Sequence, residues 1–195
     1  MSDPFSILVA GVGGQGNLVC GRIIAEATVM QGLRPVVGDT FGASRRGGSV
    51  LTHIRIGKQD WGPLIPEGEV DVLLGFEPVE ALRAAAKYAG ERTVALVSTL
   101  PVPPASVTSG AKPYPAINDI EKALDSLCKD VHLLDPTSVI DRLKSTRVLN
   151  TFMLGILSTV EGLPVDSKNL RKAISTVLDS SVDLEAFDTG AKELG

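Results

Sequence analysis

The chain has 195 residues, enough for one domain or for one domain with a helical appendix. Hydrophobic residues make up 44% and charged residues 22%, a globular balance, but only 4% are aromatic, so core packing falls to Val, Ile, Leu and Ala. The net charge of −4, with no basic run longer than Arg45–Arg46, argues against nucleic acid as the main partner, and no apolar stretch reaches the ~20 residues of a membrane span.

The first residues, MSDPFSILVAG, carry no positive segment, so no secretory signal is expected. FSILVA (5–10) is short, apolar and bounded by glycine, which predicts a buried strand. A helix is expected from about Gly16 to Gln31, stopped by Gly32, with Val19, Ile23, Ala27 and Met30 at helical spacing and Arg22 and Glu26 on its wetter side. RPVVGD predicts a second strand ending near Asp39. After the turn-rich TFGASRRGGS, the segment VLTHIRIG alternates: Val50, Thr52, Ile54 and Ile56 on one face, Leu51, His53 and Arg55 on the other. That pattern predicts a half-exposed strand where a nucleotide-binding unit would place a helix. VDVLLGF (70–76) and TVALVST (93–99) predict strands around a helix, EPVEALRAAAKY, with Pro78 near its first turn and Gly90 after its last. A Pro/Ser-rich connection follows, then helix (DIEKALDSLC), strand (VHLLDP) and a short helix (SVIDRLKS). From about residue 148 the pattern is helical to the end. Alternating strands and helices predict an α/β fold, residues 1–195 forming one domain. Its expected form is a Rossmann-like, mostly parallel sheet with helices on both faces, an inserted antiparallel strand and a C-terminal helical segment.

GVGGQG (11–16) carries the spacing Gly11-x-Gly13-x-x-Gly16, with Gly14 between, after a strand and before a helix. Such a turn allows a tight strand-to-helix reversal, close backbone approach of a phosphate, and close helix–strand packing. A complete nucleotide site also needs an acidic residue at the end of the second strand, and Asp39 is the one candidate. Three readings stay open: the glycines bind a cofactor, they only shape the turn, or the turn meets an anionic group held by another subunit. The two cysteines, Cys20 and Cys128, form no C-x-x-C and cannot alone ligate an iron–sulfur cluster. They read as buried or half-buried thiols in a reducing cytoplasm.

Taken together, GVGGQGNLVCGRIIAEA and TFGASRRGGSVLTHIRIG (40–57) resemble the gamma-type domain of the 2-oxoacid:ferredoxin oxidoreductases, and more narrowly the small (beta) subunit of the indolepyruvate enzymes. DVLLGFEPVEALRAA (71–85), NTFMLG (150–155) and EAFDTG (185–190) extend the resemblance along the chain. Arg45 stands where the family often has glutamine, and Asp183 where an asparagine is expected. The resemblance implies a division of labour. The large alpha subunit carries thiamine diphosphate and the [4Fe–4S] clusters, decarboxylates an arylpyruvate, passes two electrons to ferredoxin and the acyl group to coenzyme A. This chain completes the assembly and carries no catalytic residue or metal of its own. The alternative, resting on the glycine turn, is an independent NAD(P)- or flavin-binding oxidoreductase.

Arg45 and Arg46 offer guanidinium forks to a carboxylate or phosphate, so their loop is read as a contact with the partner subunit, a solvated turn, or a contact with a phosphate of coenzyme A. Gly47 and Gly48 are expected to supply positive φ or close backbone approach. His53 and His132 read as surface or hydrogen-bonded residues at no metal-ligand spacing. Asn150 is read either as a polar link from its helix to the sheet or a partner, or as a helix cap. Gly155 in mid-helix implies close approach of another element, and Ser98, Ser106 and Ser109 lie in no nucleophile elbow.

Overall fold

The computed structural model describes residues 4–42, 48–59, 61–103 and 113–194. Six strands form one sheet: β1 (Phe5–Val12), β2 (Arg34–Phe41), β3 (Ser49–Gly57), β4 (Val72–Gly75), β5 (Val94–Ser98) and β6 (Asp130–Leu134), in the order β2-β3-β1-β4-β5-β6. β1, β4, β5 and β6 run parallel, as their helical crossovers require. β3 lies between β1 and β2 and is antiparallel to both, the inserted strand that the sequence pattern predicts.

The helices among the described residues are α1 (Asn17–Met30), α2 (Pro78–Tyr88), α3 (Ile117–Asp125), α4 (Thr137–Leu143), α5 (Leu149–Leu157), α6 (Ser167–Leu178) and α7 (Ser181–Gly190). Alternation along the strands sends side chains to both sheet faces. Ile7, Val9, Ile54, Val72 and Leu74 join one core with α1, α5, α6 and α7. Leu8, Ala10, Leu73, Ala95 and Val97 join the other with α2 and α3. α5 is buried along its whole length, which is why its sequence, LNTFMLGIL, lacks a charged face. α2 starts as its sequence predicts. Pro78 occupies the first turn, and the Glu77 carboxylate caps the helix by accepting from the Glu80 N–H at 2.8 Å.

One expectation fails. β3 is not half-exposed, because its polar face is roofed by segment 61–65 and the end of α2. His53 is fully buried; its Nδ1 accepts from the Ile65 N–H at 3.3 Å and its ring meets Tyr88 edge-on at 5.2 Å. Arg55 is 7% exposed, donates to the Gly62 carbonyl and lies over the Trp61 ring. Alternation alone assigns faces correctly but cannot tell water from a polar roof. His132 is half-buried at the β6 edge.

A site at the end of the sheet where the glycine turn, β3 and α5 meet

β1 ends in the glycine turn. Gly11 is still in the strand, opposite Val50 of β3. The Gly13 N–H donates to the Gly48 carbonyl at 2.9 Å, so the turn and the return of the Arg-Gly-Gly loop are tied together. Gly48 thus comes into close backbone approach with the turn. Gly14 (φ 109°) is exposed, and Gly16 (φ 88°) is left-handed and starts α1 with no side-chain cap. Arg45, Arg46 and Gly47 lie outside the described residues, as do Ser106 and Ser109. Ser98 is buried and accepts from the Leu100 N–H.

Two amides that the sequence reading passed over organise this turn. Gln15 folds back: its Oε1 accepts from the Val12 N–H at 2.9 Å, and its Nε2 donates to the Phe76 carbonyl at 3.0 Å. The same Oε1 lies 2.7 Å from where a Cβ on Gly11 would stand. Asn17, 2% exposed, donates through Nδ2 to the Val50 carbonyl at 3.0 Å and also packs over Gly11. The crevice beyond the carboxyl ends of β1 and β4, where α/β sheets take their ligands, is thus bridged by the chain's own glutamine. The signal was present in the quoted motif, since both amides stand inside GGQGN.

Asp39 does not complete a nucleotide site. Its Oδ1 accepts from the Thr52 hydroxyl at 2.5 Å. It is also two strands from β1, because β3 stands between them, so it is displaced by about 9.6 Å rather than about 4.8 Å. The geometry gives no support to an independent dinucleotide-binding reading.

Asn150 joins the site from the far side of the sheet end. It is the second residue of α5 and is 6% exposed. Its Oδ1 accepts from the Thr151 N–H at 2.7 Å, and its Nδ2 stands 2.5 Å from where a Cβ on Gly16 would be. The amide does not cap α5; it packs on the turn. Gly14, Gln15, Gly16, Val19, Arg147, Asn150, Leu178 and Asp183 enclose a pocket of about 310 Å³ there. Asp183 is held by the Thr151 hydroxyl at 3.0 Å.

A second polar cluster borders this end of the sheet. Glu77, 1% exposed, accepts from the Tyr114 hydroxyl at 2.5 Å and from the Val102 N–H. Burial, with the hydrogen bond to Glu77 next, pushes the Tyr114 phenol well above its usual range, which keeps it a donor. Cys20 is buried and its thiol is pushed far up by burial; Cys128 is half-buried and pushed up to about 11 by burial and then by Asp125. Neither is a ready thiolate. Among the described residues no three His, Cys, Asp or Glu side chains cluster as metal ligands.

The family model for pyruvate ferredoxin/flavodoxin oxidoreductase matches residues 6–193. The chain belongs to this family. It is 36% identical over 95% of its length to the indolepyruvate oxidoreductase subunit IorB of Archaeoglobus fulgidus, covering 92% of that protein. It is 35% identical to the subunit of the same name from Methanothermobacter thermautotrophicus, covering 95% of each chain. Among solved structures it resembles the pyruvate oxidoreductase subunit PORC of Thermotoga maritima, with a TM-score of 0.71 at 20% identity over 98% of this chain and 94% of that one. It also resembles the 2-oxoglutarate:ferredoxin oxidoreductase of Magnetococcus marinus, with a TM-score of 0.70 at 20% identity; the match covers 98% of this chain and 31% of that one. These structural likenesses show that the fold is shared. No helix among the described residues is long and apolar enough to cross a membrane.

Proposed function

We propose that this chain is the small subunit of an indolepyruvate:ferredoxin oxidoreductase. In that complex an arylpyruvate loses carbon dioxide, its acyl group passes to coenzyme A, and two electrons pass to ferredoxin. The observation that carries this reading is the match to two proteins named indolepyruvate oxidoreductase subunit IorB, at 35–36% identity over 95% of the chain. The donor set of the chain agrees with a division of labour. A [4Fe–4S] cluster takes four thiolates. This chain has two cysteines, one of them sealed in the core, so a cluster does not fit it. In this reading, as the family resemblance implies, thiamine diphosphate, the clusters and the coenzyme A chemistry belong to the large alpha subunit, and ferredoxin is reached through the complex. Neither nucleic acid nor a membrane is a partner in this reading, and the complex is cytoplasmic.

The chain's own contribution is a shaped end of the sheet. The Gly13–Gly48 hydrogen bond anchors the return of the loop that carries Arg45 and Arg46, and we assign that loop to the contact with the large subunit. Arginine holds its proton at neutral pH, so these residues pair with anions and do not transfer protons. The test is co-purification of the tagged chain from its host, with the partner identified by mass. A partner with the thiamine diphosphate- and cluster-binding sequence of a large subunit is expected; recovery of the chain alone contradicts the reading. Replacing Arg45 and Arg46 together with alanine should abolish that recovery. If the complex still assembles but its KM for coenzyme A rises, the loop is a ligand site instead. Titration with NADH should give no saturable fluorescence change, which separates this reading from an independent dinucleotide enzyme.

A further inference from the structure

We propose that the outer face of α1, with the β2 edge beside it, is a contact between two copies of this chain, the two α1 helices lying antiparallel across a two-fold axis. The inference concerns how the small chain associates with itself, and it stands or falls apart from the arylpyruvate reading of the complex.

Two observations single out the face. The first is a seam along the helix. Cys20, Ile23, Ile24 and Ala27 of α1 join the core, and Gln31 at its end is bonded to Asp166 and Asn169 at the start of α6. The remaining side carries Leu18, Arg22, Ala25 and Val29, spaced four, three and four residues apart, the spacing of a helix that pairs with another helix. None of the four is buried, and Val29, at 60%, is the most exposed large apolar side chain among the described residues. The second is that the face continues onto the sheet. Gly21, one turn before Ala25, lets the helix sit down on β2, since a Cβ there would stand 3.6 Å from Cγ1 of Val37. Val37 is itself exposed, and β2 is the edge strand of the sheet. Single exposed apolar residues are ordinary; Leu18, Val29 and Val37 on one seam and its border make a patch.

The seam is complementary to itself, and that names the occupant. In an antiparallel pair centred at the level of Ile23 and Ile24, Leu18 of each copy meets Val29 of the other. Arg22 meets Ala25 of the second copy, whose single methyl leaves room for the arginine stem, and its guanidinium comes beside Glu26 of the second copy. Every contact is made twice, as an isologous interface requires. Within one chain the same charges are poorly used: Arg22 precedes Glu26, the weaker order for a pair four residues apart, and the two form no ion pair among the described residues. Strand addition to β2 fits less well. The Gly42 N–H turns toward β3, so the odd-numbered N–H groups of β2 point outward, and there Pro35 has none and Asp39 adds a charge. Helix side chains, not a continued sheet, make the contact.

The experiment is sedimentation equilibrium of the full chain across a wide range of concentration, where a reversible monomer–dimer equilibrium is expected. Val29→Glu, at an exposed position that does not threaten folding, sets a carboxylate against Leu18 of the second copy and should weaken the dimer by about tenfold or more. Arg22→Glu and Glu26→Arg should each weaken it severalfold, and the double variant, which exchanges the charges, should recover it; a merely structural role gives no such recovery. The direction of the helices is read by cysteine pairing in a Cys128→Ser background: Leu18→Cys and Val29→Cys chains should cross-link when mixed under mild oxidation, and neither should cross-link by itself. A chain that stays monomeric, a dimer that Val29→Glu and the charge variants leave unchanged, or a Leu18→Cys chain that cross-links with itself overturns the proposal. A monomeric chain whose Val29→Glu variant no longer recovers the large subunit gives the face to that subunit, and likewise overturns the two-copy contact.

Discussion

Two places in this molecule depend on glycine, and they use the missing side chain in opposite ways. Where α5 crosses α7, the space is filled by backbone. A Cβ on Gly155 would stand 2.1 Å from the Phe187 carbonyl oxygen, and one on Gly190 would stand 2.0 Å from the Phe152 carbonyl oxygen. At the β1–α1 turn the space is filled by polar side chains: Asn150 against Gly16, Gln15 and Asn17 over Gly11. The crossing is a matter of packing two helices as closely as their backbones permit. The turn is an arrangement of amides, some satisfied and some left open. The comparison teaches that a glycine motif reports close approach, and only the identity of what approaches separates stability from recognition.

The largest effect that would break this contrast is at the crossing. Gly155→Ala should lower stability by about 3 kcal/mol in urea unfolding even though alanine is the better helix former, because two backbones must separate. A near-neutral result would mean that the helices are not in backbone contact. At the turn, Gly16→Ala should cost about 2 kcal/mol, from left-handed strain together with displacement of Asn150. Here the loss should be partly recovered in the Gly16→Ala, Asn150→Ala double variant, since one of its two causes is a movable side chain; strict additivity would contradict the contact. Gln15→Ala removes two hydrogen bonds and should cost about 1–2 kcal/mol, with faster amide exchange at Val12 as the local readout.

The smallest effect is one of pH. Burial, set against the opposing charge of Asp39 and reinforced by that of Lys87, holds the His53 pKa below its ordinary 6.5. The unfolded chain therefore takes up a proton that the folded chain refuses. Stability should be complete above about pH 6.5 and should decline as pH falls from there toward the folded-state pKa of His53. His53→Asn, which keeps an acceptor for the Ile65 N–H, should flatten that part of the curve.

Much of the architecture was legible because its signals are local. Glycine punctuation, apolar runs and Pro78 at a helix start placed the strands and α1 and α2 to within a few residues, and the alternation of VLTHIRIG marked β3 as a strand where a helix would be usual. Gly155 announced the close approach that α7 supplies. What escaped was non-local. The roof over His53 and Arg55 comes from segment 61–65 and Tyr88, which alternation does not see. Asp39 is at the right place along its strand for a ribose, but strand order, which no local pattern encodes, sets it one strand too far out. The roles of Gln15 and Asn17 depend on carbonyls of Phe76 and Val50, 61 and 33 residues away, so their chemistry was visible in the motif but their partners were not.

The central claim is that this chain shapes a complex and takes its chemistry from a partner. Anaerobic reconstitution tests it most directly: indolepyruvate- and coenzyme A-dependent reduction of ferredoxin is followed with this chain alone, with the large subunit alone, and with both. The account predicts no turnover by this chain, even with thiamine diphosphate added, and full turnover when the two are combined. Sustained turnover by this chain by itself would contradict it.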